Sequence, residues 1–175
     1  GSTPPTADGG PDVSVCYGQW PIAMTGTATN SAATGWSGGT GLWSGTGSTM
    51  YYTPSVAEVT AGGADVVFTA TGNGGCPDAT DQVHIILSNS YISAAITPTN
   101  ITCNGAATGS ATYAPDLPGN TYVWNAVPPQ TAATASGLMA GNYSVTVTDA
   151  QGCTATMSTT ITQPAALVIT GVNAT

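Results

Sequence analysis

Hydrophobic and polar residues alternate along much of the chain with a period of two, which is the period of a β-strand that buries one face. Residues 143–148 have the sequence Tyr-Ser-Val-Thr-Val-Thr, and residues 66–70 have the sequence Val-Val-Phe-Thr-Ala. No stretch of a dozen residues shows the period of an amphipathic helix. The pattern therefore predicts an all-β fold.

Each of these strands is followed by a turn-rich loop and a second alternating segment, which is the pattern of a β-hairpin. Residues 149–152 predict one hairpin loop, with the returning strand over 154–162. In the other segment the returning strand is predicted over 81–87, which leaves His84 facing solvent. The predicted inner faces of the two returning strands consist of Ala155, Met157 and Ile161, and of Val83, Ile85 and Leu87.

The chain contains an internal repeat. Residues 68–76 and 145–153 share the pattern T-x-T-x-x-x-G-C, and a Cys-x-Gly triplet begins at both Cys16 and Cys103. The first cysteines of the two units are 87 positions apart and the second cysteines 77, so the first unit has about ten additional residues, which we place in the Gly/Ser-rich segment 38–48. This period is too long for a solenoid repeat and is typical of separate domains in tandem.

We predict two tandem immunoglobulin-like (Ig-like) β-sandwiches, over residues 1–89 and 90–168. Short strands separated by turn signals favour this architecture. So does a tryptophan between the two cysteines of each unit, Trp36 in the first and Trp124 in the second.

The C-terminal residues predict a further unit. Residues 167–175 are similar in sequence to residues 94–102, the segment that leads into Cys103. We therefore expect residues 169–175 to be the lead-in strand of a following repeat.

Each unit has one cysteine at its beginning and one near its end, and four cysteines allow three pairings. We predict one disulfide within each domain, because each domain can then fold alone, and closing such loops stabilises a domain by about 4 kcal/mol. Disulfides indicate an oxidising compartment outside the cytosol. A Cys₄ metal site is the alternative, but no C-x-x-C pair is present. The predicted pairs are Cys16 with Cys76 and Cys103 with Cys153.

The composition excludes several classes of function. The 175 residues include no Lys and no Arg, against eight Asp and Glu, and the formal net charge is −8. Nucleic-acid binding is excluded because it requires basic side chains that neutralise phosphates, and Schiff-base lysine chemistry lacks its nucleophile. No run of eighteen apolar residues predicts insertion into a membrane. With 41% hydrophobic residues, the chain still has enough apolar surface to bury a core.

Residues 91–168 resemble a known family, the SprB-type repeat of very large surface adhesins of the Bacteroidetes. The resemblance depends on Ile-Thr-Cys-Asn-Gly, Tyr-Val-Trp-Asn, the run from Gly-Leu-Met to Val-Thr-Asp, Gly-Cys and Ile-Thr-Gln-Pro, at residues 101–105, 122–125, 137–149, 152–153 and 161–164. The Pro-Asp-Leu-Pro-Gly of residues 115–119 departs from the Gly-Gly turn of many repeats. The first unit resembles the Ig-like or PKD-like modules of the same proteins, through residues 4–12, 43–47 and 61–76.

The resemblance implies a tandem array of β-sandwiches that is exported by the type IX route, displayed on the cell surface and used in adhesion or gliding motility. We therefore expect a non-enzymatic spacer or stalk within an extracellular, cell-surface adhesin. Its expected partners are the neighbouring repeats of the same chain, together with surface polysaccharide or glycans.

Catalysis is not expected. A Ser-His-Asp triad would need His84, the single histidine, which lies on a predicted solvent face. Eight acids scattered over two small domains do not predict the paired carboxylates of a glycosidase.

Calcium is the one cofactor for which the loops offer ligands. Five aspartates lie in loops at the predicted domain ends, and Ca²⁺ prefers carboxylate oxygens. No D-x-D-x-D-G loop occurs, however, and Asp is common in turns, so turn formation is the alternative role. The candidate ligands are Asp8, Asp12, Asp78, Asp81 and Asp149.

Aromatic residues of the first unit suggest a second possible function, that of a carbohydrate-binding module, because aromatic rings stack on sugars. The other interpretation is that one of the two tryptophans belongs to the core and one of the two tyrosines lies on the adjacent strand. An exposed aromatic cluster on one flat face would favour sugar binding. The candidates are Trp36, Trp43, Tyr51 and Tyr52.

Overall fold

The computed structural model describes residues 3–88 and 94–168. Strands occur throughout it, and along many of them buried and more exposed side chains alternate. The chain forms two compact units, Gly1–Ile92 and Ser93–Thr175. The predicted boundary between the domains and the predicted C-terminal lead-in strand lie outside the described residues.

The described part of the first unit contains nine strands and one short helix. Their bounds are β1 Thr6–Asp8, β2 Val13–Val15, β3 Ile22–Thr25, β4 Thr27–Thr29, β5 Ser31–Gly38, β6 Leu42–Thr46, β7 Thr49–Thr53, α1 Val56–Ala61, β8 Gly63–Gly72 and β9 Ala79–Leu87.

The main sheet of the first unit has the order β2-β9-β8-β5, and a second sheet has the order β3-β7-β6. Strands β1 and β4 form a separate pair. Neighbouring strands are antiparallel except β2 and β9, which run parallel with Val15 opposite Leu87. This parallel pair fixes the position of Cys16, which directly follows β2.

The core of the first unit is centred on β8 and β9. Val66, Phe68 and Ala70 of β8 are buried, as predicted, and so are the predicted inward residues of β9. The indole of Trp36 is also buried and packs on Phe68, with ring centroids 5.1 Å apart. His84 lies exposed on the opposite face of β9, as predicted.

The described part of the second unit contains six strands. Their bounds are β10 Ala95–Thr99, β11 Gly109–Ala114, β12 Thr121–Trp124, β13 Thr134–Leu138, β14 Gly141–Thr148 and β15 Thr154–Ile161. They form two antiparallel three-stranded sheets, β10-β11-β13 and β12-β14-β15. The fully buried side chains between these sheets include Trp124, Tyr113, Val145, Val147 and Ile161.

The two units repeat the same arrangement around their tryptophans. Trp36 lies opposite Phe68 on the neighbouring strand, and Trp124 lies opposite Val145, which is the residue that the sequence repeat aligns with Phe68. Both predicted hairpins are present, as β8–β9 and β14–β15. The predicted all-β fold is therefore confirmed.

The helix α1 was not predicted. It consists of six residues and begins at a capping box in which the Ser55 hydroxyl accepts from the Glu58 amide and the Glu58 carboxylate accepts from the Ser55 amide. It ends at Gly62, whose φ of 86° is the left-handed conformation that glycine adopts without strain. In the part of the chain that the structure describes, no helix is long and apolar enough to cross a membrane.

Candidate functional site

The two cysteines of the first unit lie at opposite ends of its main sheet. Cys16 follows Val15, whose carbonyl accepts from the amide of Ser88, so it lies where β9 ends. Cys76 lies in the β8–β9 hairpin, just before β9 begins. The nine residues of β9 extend over roughly 26 Å, at about 3.3 Å per residue.

The two cysteines of the second unit are separated in the same way. Ile101 donates its amide to the carbonyl of Thr162, so the loop that holds Cys103 lies where β15 ends. Cys153 lies in the β14–β15 hairpin, directly before β15 begins. The eight residues of β15 therefore separate the two cysteines.

Among the described residues the disulfide-bonded cysteines are Cys16 in the first unit and Cys153 in the second, and Cys76 and Cys103 take no part in a disulfide. The predicted pairs within each domain, Cys16 with Cys76 and Cys103 with Cys153, are therefore wrong. A disulfide requires Cα atoms less than about 7 Å apart, whereas a whole strand separates the cysteines of each unit.

The hairpin before Cys153 is organised by a buried carboxylate. Oδ1 of Asp149 accepts from the amides of Gln151 and Cys153, at 3.0 and 2.8 Å. The Asp149 side chain is buried although the loop is at the surface. The aspartate therefore fixes the backbone on which the bonded Cys153 lies.

Replacing Asp149 by alanine should lower the free energy of unfolding of the second unit by about 1–3 kcal/mol, because two amides lose their acceptor. The matched change is Asp78→Ala in the equivalent hairpin, where an exposed carboxylate accepts from the Gly72 amide at 2.9 Å. We expect a smaller loss there. Urea unfolding followed by circular dichroism, with calcium and with chelator, measures both effects. A calcium-dependent rise in stability that Asp149→Ala removes would instead assign this carboxylate to a metal site.

The other candidate calcium ligands also accept backbone hydrogen bonds. Asp8 accepts from the amide of Gly10 at 2.8 Å, and Asp81 accepts from the amide of Gly9 at 2.7 Å. Asp12 accepts from the amide of His84 at 2.8 Å. No group of three or more potential ligands comes together within residues 3–88 and 94–168. The Asp8 contact is that of a turn-forming aspartate, whereas Asp12 and Asp81 connect the segment before β2 with β9.

The candidate sugar-binding aromatics do not form an exposed face. Trp36 and Tyr52 are buried in the core, and Trp43 is packed against them, with ring centroids 6.1 Å from Trp36 and 4.6 Å from Tyr52. Tyr51, on the other face of β7, is 45% exposed. Three of the four candidates thus belong to the core of the first unit.

The sequence analysis missed a different aromatic pair. Tyr17 and Trp20 meet edge to face, with ring centroids 5.3 Å apart, and Tyr17 is half exposed. They line an apolar cleft of about 170 Å³ together with Pro54, Val56 and Val59. The available signal was their position directly after the first cysteine, in Cys-Tyr-Gly-Gln-Trp-Pro.

A second missed feature is the buried contact between Tyr52 and Glu58. The Tyr52 hydroxyl donates to the carboxylate at 2.6 and 2.8 Å, and the amides of Thr40 and Ser55 also donate to it, at 2.6 and 2.8 Å. Burial, followed by the hydrogen bond to Glu58, raises the pKa of Tyr52 to about 12. Burial alone would raise the pKa of Glu58, but its hydrogen bonds outweigh that effect and lower it.

His84 lies on an open strand face. Its Nδ1 is 2.7 Å from Oδ1 of Asp65 on β8, and both side chains are exposed. The hydrogen bond from His84 is the main cause that lowers the pKa of Asp65. An exposed pair on a sheet surface does not exclude water from a reacting group, which is a common requirement of catalytic sites.

The chain matches no family model and no curated protein. Among solved structures it is similar to the N-terminal eight Ig domains of Down Syndrome Cell Adhesion Molecule, with a TM-score of 0.57 and 10% identity over 92% of this chain and 24% of that chain. It is also similar to a chimeric titin Z1Z2, with a TM-score of 0.38 and 15% identity over 95% of this chain and 100% of that chain. The similarity to Drosophila N-cadherin EC1-4 has a TM-score of 0.43, with 8% identity over 94% of this chain and 50% of that chain. The first likeness confirms the predicted Ig-like β-sandwich fold, and this chain spans about a quarter of the length of that eight-domain chain.

Proposed function

We propose that this chain is a non-enzymatic structural and adhesive segment of a large, repetitive, extracellular surface adhesin of the SprB type, in which it acts as a spacer or stalk. The observation that carries the proposal is the tandem repeat of one fold, in which each unit has a cysteine at either end of its sheets. A unit built in this way is suited to a linear array of similar units.

The surface chemistry supports this function. With eight acidic residues and no Lys or Arg, every unit has the same sign of charge. Like charge opposes association between neighbouring chains and keeps repetitive proteins soluble. Down Syndrome Cell Adhesion Molecule, which its name assigns to adhesion, also contains Ig domains in tandem.

The disulfide supports an extracellular location. Structural disulfides persist in oxidising compartments and are rare in the cytosol. Display on a bacterial cell surface, export by the type IX route and a role in gliding motility are further parts of the proposal, and they depend on the resemblance of residues 91–168 to the SprB-type repeat.

Binding of the chain to an immobilised panel of polysaccharides and glycans tests the spacer function. We expect no saturable binding, with calcium or with chelator, because the stacked aromatic rings of the first unit are largely buried. Saturable binding that is lost in Tyr17→Ala but kept in Tyr51→Ala would assign a lectin function to the Tyr17–Trp20 cleft. Binding that is lost in Tyr51→Ala but kept in Tyr17→Ala would assign the lectin function to the exposed face of β7.

A further inference from the structure

We propose that two short segments of the second unit, residues 100–105 and 162–164, form a clasp that bears mechanical load. They contain most of the Ile-Thr-Cys-Asn-Gly and Ile-Thr-Gln-Pro motifs, to which the spacer function assigns no role. The inference rests on the proposed function as a stalk, which carries tension along its chain. It names the part of the second unit that resists this tension.

Two backbone amides form one end of the clasp. The amide of Ile101 donates to the carbonyl of Thr162 at 2.9 Å, and the amide of Thr162 donates to Oδ1 of Asn100 at 2.9 Å. The side chains of Ile101 and Ile161 are buried beside these bonds. Both pack closely on Gly109, where a Cβ atom would lie 2.7 Å from Ile161 and 3.3 Å from Ile101. This packing fixes the backbone that makes the two bonds.

Two side-chain amides form the other end. Nδ2 of Asn104 donates to the carbonyl of Pro164 at 2.9 Å, and Oε1 of Gln163 accepts from the amide of Gly105 at 2.8 Å. These residues are 60 and 58 positions apart in the sequence. The clasp therefore joins a segment near the start of the unit to a segment near its end.

The two segments of the clasp run in the same direction. Residues 100–101 lie opposite Thr162, and residues 104–105 lie opposite residues 163–164, further along both segments. The first unit makes a comparable contact through its backbone, because β2 runs parallel to β9 with Val15 opposite Leu87. Each unit thus ties an early segment to the end of its last strand in parallel.

Parallel pairing decides how the clasp responds to tension. A load on the chain pulls the early segment back towards its start and the late segment forward towards its end. Because the two segments are parallel, these opposite pulls slide one segment past the other and load the four hydrogen bonds together. In an antiparallel hairpin that is pulled at its open end, the bonds break one at a time.

The clasp keeps the unit closed even when β10 is pulled away. Strand β10, through which the load arrives, pairs with β11 over Ala95–Thr99. The bonds of the clasp are made by residues that follow β10, so they stay in place when β10 separates from β11. The clasp is then the contact through which the load reaches β15.

Asn100→Ala should therefore weaken the second unit more under force than in denaturant. The substitution removes the acceptor of the Thr162 amide, and the loss of one hydrogen bond that breaks before the transition state should raise the unfolding rate about fivefold. We expect a rise of similar size in Gln163→Ala, which removes the acceptor of the Gly105 amide.

Asn125→Ala is the matched control. Oδ1 of Asn125 accepts from the amide of Ser144 at 2.9 Å, and Asn125 is exposed, as Asn100 is. This bond joins the end of β12 to β14, inside the unit, so it stays intact while the clasp opens. Under force we therefore expect Asn125→Ala to change the unfolding rate by less than about twofold.

Single-molecule force spectroscopy at constant force measures these rates. The full chain is tethered at Gly1 and Thr175 and is held in reductant, because Cys16 and Cys153 are disulfide-bonded and a disulfide would limit the extension. Asn100→Ala should accelerate one of the two unfolding steps about fivefold and leave the other unchanged. Urea unfolding should show similar losses of free energy in Asn100→Ala and Asn125→Ala.

Equal unfolding rates of the two asparagine variants under force would overturn the inference. A faster Asn100→Ala variant whose loss in urea is larger by the same factor would also overturn it, because the contacts would then have a general stabilising role. Glycan binding is measured separately from these rates. Saturable glycan binding together with the fivefold effect would reject the spacer function but keep the clasp, and the opposite pair of results would do the reverse.

Discussion

Replacing Trp124 by alanine should destabilise the second unit by about 3–5 kcal/mol, as expected for truncation of a fully buried aromatic side chain. Its indole fills the space between the two sheets, and its Nε1 donates to the carbonyl of Ala132 at 2.9 Å. The substitution thus leaves a cavity and removes the donor for that carbonyl. Unfolding free energies of typical domains are about 5–15 kcal/mol, so the variant loses a large part of its stability.

Hydrogen exchange with peptic digestion measures this loss for the second unit separately. The matched control is Val123→Ala, the preceding residue of β12, whose side chain is 56% exposed and for which we expect a change below about 1 kcal/mol. The other three tryptophans are in the first unit, so tryptophan fluorescence reports whether that unit stays intact. Equal effects of the two substitutions would show that the indole is not the centre of the core.

The strands and the core could be predicted because period-two alternation is a local property of the sequence. Buried Val66, Phe68 and Ala70, and the outward-facing His84, were all predicted from that pattern. The equivalence of Trp36 and Trp124 could be predicted as well, since the repeat aligns the strands on which they lie.

The disulfide could not be predicted, because pairing depends on the end of the sheet at which each cysteine lies. The sequence places one cysteine early and one late in each unit, and the pairs within each unit were chosen because each domain could then fold alone. The parallel pair β2–β9 and the contact between Ile101 and Thr162 place the early cysteines at the far end of the strand from the late ones. Neither contact has a local signature in the sequence.

The helix α1 was missed, although its sequence contains a local signal in a motif shorter than the period used to search for helices. Ser55 and Glu58 form the S-x-x-E pattern of a capping box, and Gly62 follows where the helix ends. Six residues are too few to show a helical period. The same glutamate also reaches the core, which no local pattern indicates.

Glu58→Ala should therefore destabilise the first unit by about 2–4 kcal/mol, more than an ordinary cap substitution. The carboxylate accepts from the Tyr52 hydroxyl and from the amides of Thr40 and Ser55, and all three donors would lose their acceptor. Glu58→Gln keeps one carbonyl oxygen but adds donors where donors already point, so we expect an intermediate loss.

The pH dependence of the free energy of unfolding distinguishes the hydrogen-bond network of Tyr52 and Glu58 from a contribution of packing alone. Because the pKa of Glu58 is lowered in the folded unit, its carboxylate stabilises the fold at pH values above its ordinary 4.5, and this contribution is lost as the pH falls through the lower folded-state value. Because the pKa of Tyr52 is raised from 10.0 to about 12, its contribution is present below pH 10 and is lost as the pH rises towards 12.

Urea unfolding of the wild type, Glu58→Gln and Tyr52→Phe across these two pH ranges tests both assignments. Tyr52→Phe should abolish the alkaline loss, and Glu58→Gln should reduce the acid loss. The control is Tyr51→Phe, because the ring of Tyr51 is exposed on the other face of β7. This variant should show both the acid and the alkaline loss of stability. An unchanged acid loss in Glu58→Gln would assign the low-pH sensitivity of the unit to its surface aspartates and leave the buried pair a packing role alone.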